Sequence, residues 1–187
     1  MSGLLKHVPN FLTGLRLICA PALALLLVSG ADRAALGIFA FAGLSDAADG
    51  YFAKRFGFAT PFGRYMDPAA DKLLMLAAFL ALTIMGFTPV WLAVLVIARD
   101  AAIIAGIVLA HVLSLPVRIA PLAIGKLSTG VQVAYVGLCL FLLAFGLHWQ
   151  DVAKIAALST AVVTVTSGFA YLAVWIKAFA TRFYRAA

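Results

Sequence analysis

Glutamate is absent from this 187-residue chain, and all seven of its acidic residues are aspartates. Charged residues make up only 11% of the sequence, whereas they make up about a quarter of a typical soluble globular domain. Only two cysteines are present, both in apolar stretches, so we do not expect a disulfide-stabilised scaffold. Instead, 65% of the residues are hydrophobic and the mean hydropathy is +1.11, which indicates that the main solvent of the chain is lipid.

Apolar runs of about 20 residues recur along the chain, and each is long enough to cross the hydrocarbon core of a bilayer. Backbone polar groups in lipid need partners within the chain, so these runs predict helices. We therefore predict an all-α integral membrane protein with six transmembrane helices. Five of them cover residues 8–28, 34–53, 90–113, 125–147 and 152–179, and the third begins within the polar stretch 54–71 and ends near residue 85. Residues 1–187 contain no internal repeat or linker and are predicted to form a single domain.

Lysine and arginine outnumber aspartate, which gives a net charge of +7. In so apolar a chain, this excess of positive charge indicates lysine and arginine on cytoplasmic loops rather than a nucleic-acid-binding surface. With a cytoplasmic N-terminus, eleven of the fourteen basic residues fall at cytoplasmic ends and loops, Arg33 and Lys154 fall outside, and Arg99 lies within the fourth predicted helix. Both termini and the aspartates near residue 50 are therefore predicted to face the cytoplasm. Three tryptophans near predicted helix ends are interpreted as interfacial anchors, namely Trp91, Trp149 and Trp175.

Four of the seven aspartates lie between positions 46 and 71. Asp46 and Asp49 are three positions apart in the second predicted helix, and Asp67 and Asp71 are four apart in the third. These spacings put each pair on one helix face, and the short connection makes the two helices antiparallel neighbours. Four converging carboxylates repel one another unless they are protonated or bind cations. Hard oxygen ligands without histidine or cysteine predict Mg²⁺ or Mn²⁺, with Ca²⁺ as a further candidate.

The surroundings of the aspartates favour phosphate chemistry. Gly50 and Gly63 remove side-chain bulk beside the acids. Positive charge is supplied nearby by Lys54, Arg55, Arg64 and Lys72. Carboxylate-bound metal with surrounding cations is suited to binding phosphate groups. One alternative is that the aspartates only cap helices or form ion pairs with the nearby basic residues. Another is that they line a divalent-cation channel or transporter, but a path across the membrane needs polar groups at several depths.

The segment DAADGYFAKRFGFATPFGRYMDPAADK, from Asp46 to Lys72, closely resembles the signature D-x2-D-G-x2-A-R-x8-G-x3-D-x3-D of the CDP-alcohol phosphatidyltransferase family. The four aspartates and both glycines match at every spacing. One position departs, because Lys54 replaces the family arginine and lacks its planar guanidinium. Further resemblance lies in Pro9-Asn10 with Thr13 and Arg16, in Arg99-Asp100, and in Gly125-Lys126 with Thr129 and Gln132.

The resemblance implies transfer of a phosphatidyl group from CDP-diacylglycerol to an alcohol, with release of CMP. It implies two Mg²⁺ or Mn²⁺ ions held by Asp46, Asp49, Asp67 and Asp71. Asp71 would also be the catalytic base that takes the proton from the acceptor hydroxyl. The implied nucleotide-binding residues are Asp49, Gly50, Lys54, Gly63 and Asp67. A multi-pass protein of the bacterial inner membrane, with its active site toward the cytoplasm and a homodimeric assembly, is expected from the same resemblance.

The acceptor alcohol is less constrained by the sequence. Arg99, Arg118 and Lys126 are predicted to bind it, because each can pair with a phosphate group. Arg99 stands within an apolar helix, where a charge is costly and tends to be functional, although Asp100 is alternatively its ion-pair partner. Two branches of the family differ in the acceptor: the CMP-forming cardiolipin synthases use phosphatidylglycerol, and the phosphatidylglycerophosphate synthases use glycerol-3-phosphate. The chain resembles the cardiolipin synthase branch slightly more, at Arg99-Asp100 and in the segments GKLSTGVQV and SGFAY. Both acceptors are anionic, and the sequence does not decide between them.

Overall fold

The computed structural model describes the backbone of residues 8–56, 61–113 and 122–186. Within these ranges it also describes the side chains, except at residues 8–13, 47–56, 61–65, 67, 111, 178–179 and 181–186. All regular structure in the described ranges is helical and forms six α-helices. They are α1 (Val8–Val28), α2 (Asp32–Phe56), α3 (Pro61–Ile84), α4 (Val90–Val112), α5 (Ala123–Ala144) and α6 (Gln150–Ala186). The predicted all-helical architecture is confirmed.

The helix bounds follow the apolar runs closely except at the C-terminal end. α1 covers the predicted residues, and α4 ends one residue earlier than predicted. α6 is 37 residues long and continues through Arg182 and Arg185, beyond the predicted end at residue 179. The predicted end at residue 179 is wrong because residues 177–186 contain neither glycine nor proline to stop a helix.

Glycines in the left-handed region end three of the helices. Their φ angles are +76°, +77° and +64° at Gly30, Gly86 and Gly146. After α1, the amide of Ala31 donates to the carbonyl of Leu26 at 2.9 Å, and after α3 the amide of Phe87 donates to that of Leu82 at 2.9 Å. This six-to-one bond is the Schellman motif, which requires a residue with positive φ. The gaps left between the predicted helices at residues 29–33 and 86–89 therefore contain glycine turns.

The described chain divides into two compact units, which we describe separately. The first contains α1, α2, α3 and the second half of α5, and within it α1 packs against both α2 and α3. Its buried apolar side chains include Leu23, Leu27, Phe79, Leu82 and Leu140. Arg33 donates from Nε to the carbonyl oxygen of Ala144 at 3.2 Å, which places a cation at the C-terminal end of α5, where the helix dipole favours it. Cys19 and Cys139 are buried in this unit and do not form a disulfide.

The second unit contains α4, the first half of α5 and α6, with α4 packed against α6. Tyr171 and Trp175 of α6 are buried together with Ala110 of α4. The interfacial role predicted for Trp175 is therefore wrong, because its ring is packed inside the protein and only 8% of the residue is exposed. Trp91, at the start of α4, is half-exposed, as an anchor would be.

Three helical segments in the described residues are long and apolar enough to cross a membrane by length and composition. They are Val90–Ala110, Ala123–Ala144 and Gln150–Lys177. The part of α1 with described side chains is a further apolar segment, Gly14–Val28. α2 and α3 carry the four aspartates of the signature and their neighbouring bases. The predicted six spans and the cytoplasmic position of both termini stay predictions.

Candidate active site

The four aspartates of the signature lie on two helices, as predicted from their spacing. Asp46 and Asp49 belong to α2, and Asp67 and Asp71 belong to α3. The side chains of Asp46 and Asp71 are described, whereas those of Asp49 and Asp67 lie outside the described residues. Because α1 packs against both helices, the α2 and α3 acids can meet at a residue of α1.

That residue is Arg16. Its Nη1 donates to Oδ1 of Asp71 at 2.8 Å and lies 3.0 Å from Oδ1 of Asp46. Only 1% of the Arg16 side chain is exposed, whereas 51% of Asp46 and 43% of Asp71 remain exposed. A single buried nitrogen therefore joins carboxylates from two different helices. The predicted convergence of the two acidic faces is confirmed for this pair.

The chemistry of this pair fits a divalent cation. Two carboxylate oxygens converge on one positively charged group, and hard oxygen donors are the ligands that Mg²⁺ and Mn²⁺ prefer. Both carboxylates are about half exposed, so the pair is accessible from outside the protein interior. Among the side chains that the structure describes, no group of three or more histidine, cysteine or acidic residues is placed to hold a metal. Of the four predicted ligands, only Asp46 and Asp71 have side chains in that part of the chain.

Sequence reasoning missed Arg16 as a site residue, although it named Arg16 among the cytoplasmic basic residues and in the N-terminal segment that resembles the family. Two signals pointed to it. It lies in an apolar run, where a charge is costly and tends to be functional, and the same argument was enough to single out Arg99. It also belongs to the N-terminal segment that resembles the family. Its partners could not be read from the sequence, because they come from helices 30 and 55 residues away.

Arg99 lies in the second unit and is also buried, with 8% of the residue exposed. Nη1 donates to Oδ1 of its neighbour Asp100 at 2.7 Å, and Nη2 donates to Oγ of Ser167 on α6 at 2.5 Å. The guanidinium carbon lies 5.7 Å from the centre of the Tyr171 ring, within the range of a cation–π interaction. The ion pair predicted as the alternative role of Arg99 is thus present, and its acceptor role stays a prediction.

The other predicted site residues are distributed as follows. Lys126 lies in the first turn of α5 with an exposed side chain. Beside it, the amide of Leu122 donates to the Tyr171 hydroxyl at 3.3 Å, so the start of α5 is tied to α6. Arg118 lies outside the described residues. The remaining predicted nucleotide-binding positions fall in α2 and α3 but outside the described side chains, namely Gly50, Lys54 and Gly63.

Comparison with known proteins decides the family. The family model for CDP-alcohol phosphatidyltransferases matches residues 6–178. The chain belongs to this family. The resemblance carried by the aspartate signature is therefore confirmed, and with it the prediction that the protein is an enzyme, a CDP-alcohol phosphatidyltransferase.

Relatives of this phosphatidyltransferase carry two kinds of name. This chain is 34% identical to the probable phosphatidylglycerophosphate synthase of Mycobacterium tuberculosis strain H37Rv over 176 residues. The match covers 90% of this chain and 81% of the relative. The chain is 31% identical over 180 residues to the human cardiolipin synthase (CMP-forming), covering 88% of this chain and 60% of the relative. A Bacillus subtilis CDP-diacylglycerol–glycerol-3-phosphate 3-phosphatidyltransferase is 34% identical over 136 residues, 72% of this chain and 69% of the relative. The predicted role in phospholipid synthesis is confirmed at this level, while the acceptor is not distinguished.

Proposed function

We propose that this enzyme transfers a phosphatidyl group from CDP-diacylglycerol to an anionic alcohol and releases CMP, with two Mg²⁺ or Mn²⁺ ions held by Asp46, Asp49, Asp67 and Asp71. The observation that carries the proposal is the convergence of Asp46 and Asp71, from two helices, on the buried cation of Arg16. Two members of the family signature thus share one cation, and both carboxylates are partly exposed.

The reaction exchanges one phosphorus–oxygen bond for another. The acceptor oxygen forms a bond to the phosphorus that carries the diacylglycerol, the bond to the CMP oxygen breaks, and the hydroxyl proton moves to a base. When bound, divalent ions supply charge neutralisation at the pyrophosphate and at the departing CMP. Asp71 is proposed as the base, because it is 43% exposed and held at a fixed place by the 2.8 Å bond from Arg16.

The nucleotide and acceptor subsites are proposed on the resemblance. Asp49, Gly50, Lys54, Gly63 and Asp67 would line the cytidine diphosphate, with Lys54 in place of the family arginine. Acceptor binding is proposed for Arg99, Arg118 and Lys126. Of these, Lys126 has the exposed ammonium that binding of a phosphate from solution or the membrane surface requires.

Phosphatidylglycerol is the proposed acceptor, since three segments of the chain resemble the cardiolipin synthase branch. Glycerol-3-phosphate is the second candidate, favoured by the identity to the M. tuberculosis phosphatidylglycerophosphate synthase across most of both chains. We also propose a multi-pass inner-membrane protein with its active site toward the cytoplasm, supported by three apolar helices and the distribution of basic residues. A homodimer is proposed on the family resemblance, and chemical cross-linking in detergent that gave only monomer would contradict it.

Release of CMP from CDP-diacylglycerol by the purified protein tests the reaction. Mn²⁺ and Mg²⁺ are compared with EDTA, and phosphatidylglycerol and glycerol-3-phosphate are offered separately. We expect metal-dependent release with phosphatidylglycerol and a loss of at least about 100-fold in Asp71→Asn, because a general base contributes roughly 10²–10⁴-fold. Asp151→Asn is the matched control, since its carboxylate is 92% exposed and pairs only with Lys154 at 3.5 Å among the contacts described.

Each outcome of this assay has a separate meaning. Release that needs glycerol-3-phosphate instead would keep the reaction and change the product. Release that persists in Asp71→Asn would remove the base role from Asp71. No metal-dependent release with either acceptor, nor with inositol phosphate or serine, would contradict the proposed reaction.

A further inference from the structure

We propose that Arg16 is a built-in counter-ion of the aspartate centre, which bridges Asp46 and Asp71 when metal is absent and competes with divalent cations for them. The inference rests on the proposed function, in which these aspartates are metal ligands. It assigns to Arg16 a positioning role that the family signature does not include, because Arg16 lies on α1 and the signature covers only α2 and α3.

The competition follows from the position of one atom. Nη1 of Arg16 lies 2.8 Å from Oδ1 of Asp71 and 3.0 Å from Oδ1 of Asp46. An ion that binds both of these oxygens, at the distance of about 2.1 Å typical of Mg²⁺, would stand close to the positive charge of Nη1. The guanidinium and the ion repel each other and are attracted to the same two oxygens, so each weakens the binding of the other to the carboxylates.

The burial of Arg16 explains why it holds both acids. Its side chain is 1% exposed, and a guanidinium cannot lose its proton to escape the cost of burial. The two carboxylates supply the compensating charge, and in return Arg16 removes the repulsion between them. The metal-free centre is thus assembled before an ion arrives, at the cost of weaker ion binding than a bare aspartate cluster would give.

Mn²⁺ binding without substrate tests the competition. Free Mn²⁺ is followed by electron paramagnetic resonance in the detergent-purified protein, for wild type, Arg16→Gln and Arg33→Gln. We expect Arg16→Gln to bind Mn²⁺ about tenfold more tightly, because removal of one nearby positive charge strengthens the attraction of a divalent ion. Arg33 is the matched control, since it is in the same unit and donates to a backbone carbonyl rather than to an aspartate. Its variant is expected to bind Mn²⁺ like wild type.

Thermal unfolding gives a second readout that a purely structural arginine would not produce. In EDTA, Arg16→Gln is expected to unfold at a lower temperature than wild type, and saturating Mn²⁺ should largely remove the difference, because the ion then supplies the missing charge. Arg33→Gln should lose the same amount with and without Mn²⁺. An equal loss in both conditions for Arg16→Gln, or Mn²⁺ binding that is unchanged or weaker, would overturn the competition.

Arg16→Lys keeps the test valid if the glutamine variant does not fold. Lysine keeps the charge but lacks the planar fork, so its hold on two carboxylates is weaker and Mn²⁺ should bind at least about twofold more tightly than to wild type. Binding by Arg16→Lys equal to or weaker than wild type would count against the proposal. Absence of any Mn²⁺ binding by wild type would instead contradict the proposed metal site itself.

Discussion

At the scale of single residues, two arginines are buried in otherwise apolar helices, and they use their charge differently. Arg16 joins carboxylates from two other helices. Arg99 pairs with Asp100, the next residue of its own helix, and reaches Ser167 on α6. Since a guanidinium stays charged, each needs compensating partners close by. Arg16 is therefore part of the aspartate centre, whereas the described contacts of Arg99 tie α4 to α6.

Arg99→Gln tests how much of the role of Arg99 is structural. We expect the free energy of unfolding to fall by about 3 kcal/mol, because a buried ion pair and a charged hydrogen bond to Ser167 are lost together. The Michaelis constant for the acceptor is measured on the same variant. If Arg99 also binds the acceptor, that constant rises at least about tenfold, since a charged hydrogen bond contributes about 1.5–3 kcal/mol.

Ser167→Ala is the matched control for this variant. It removes the hydroxyl that Arg99 contacts but keeps the guanidinium and the ion pair with Asp100. We expect a loss of about 1–2 kcal/mol in stability and no change in the Michaelis constant of the acceptor. An acceptor constant that is the same in wild type and Arg99→Gln would remove the acceptor role from Arg99.

Much of the candidate site could be predicted from sequence because its main signal is local. The spacings between Asp46 and Asp49 and between Asp67 and Asp71 fix shared helix faces without any knowledge of tertiary structure. Arg16 could not be placed in this way, because its role depends on α1 packing against both α2 and α3. Contacts between helices far apart in sequence are set by complementary surfaces, which a single sequence does not specify.

At the scale of helices, the packing of α4 against α6 depends on a glycine. A Cβ atom built on Gly106 would overlap with the indole ring of Trp175. The ring has little room to move, because Trp175 is only 8% exposed and packs with Ala110 and Tyr171. Gly106 therefore permits a close approach of the two helices that any larger residue would prevent.

Gly106→Ala is expected to lower the free energy of unfolding by about 1–3 kcal/mol, because overpacking forces side chains or backbone to shift. The control is Gly130→Ala, where a Cβ meets no atom within 4 Å. Alanine is the better helix former, so this change should stabilise the protein by about 0.5–1 kcal/mol. Reversible unfolding of both variants in detergent measures the difference. A neutral or stabilising Gly106→Ala would contradict the close approach of α4 and α6.

Helix ends could be predicted where the sequence marks them. Gly30 and Gly86 adopt the positive φ that ends α1 and α3, and glycine is the residue best suited to it. The C-terminal end of α6 carries no such residue, so the apolar pattern stopped at residue 179 while the helix continued through the basic residues. Apolar patterning indicates which part of a helix lies in lipid and does not by itself indicate where the helix ends.

At the scale of the whole molecule, apolar runs and basic residues together predict the membrane arrangement. Length and composition identify three spanning helices among the described residues, and α2 and α3 contain the polar residues of the signature. An enzyme whose substrate has acyl chains in lipid and a charged head in water needs such half-polar helices at the interface. The six-span prediction thus depends on α2 and α3 crossing the bilayer despite their charges, and it requires a topological test.

Fusions to green fluorescent protein and to alkaline phosphatase test this arrangement, because the first fluoresces only in the cytoplasm and the second is active only outside it. After residue 187 we expect fluorescence without phosphatase activity, and after Thr88 or Trp149 we expect the reverse. The reason is that eleven of the fourteen basic residues then face the cytoplasm. The two reporters control for each other at every site. Fluorescence after Thr88 would mean that α2 and α3 do not both span, and phosphatase activity after residue 187 would place the C-terminal arginines outside, against the charge rule.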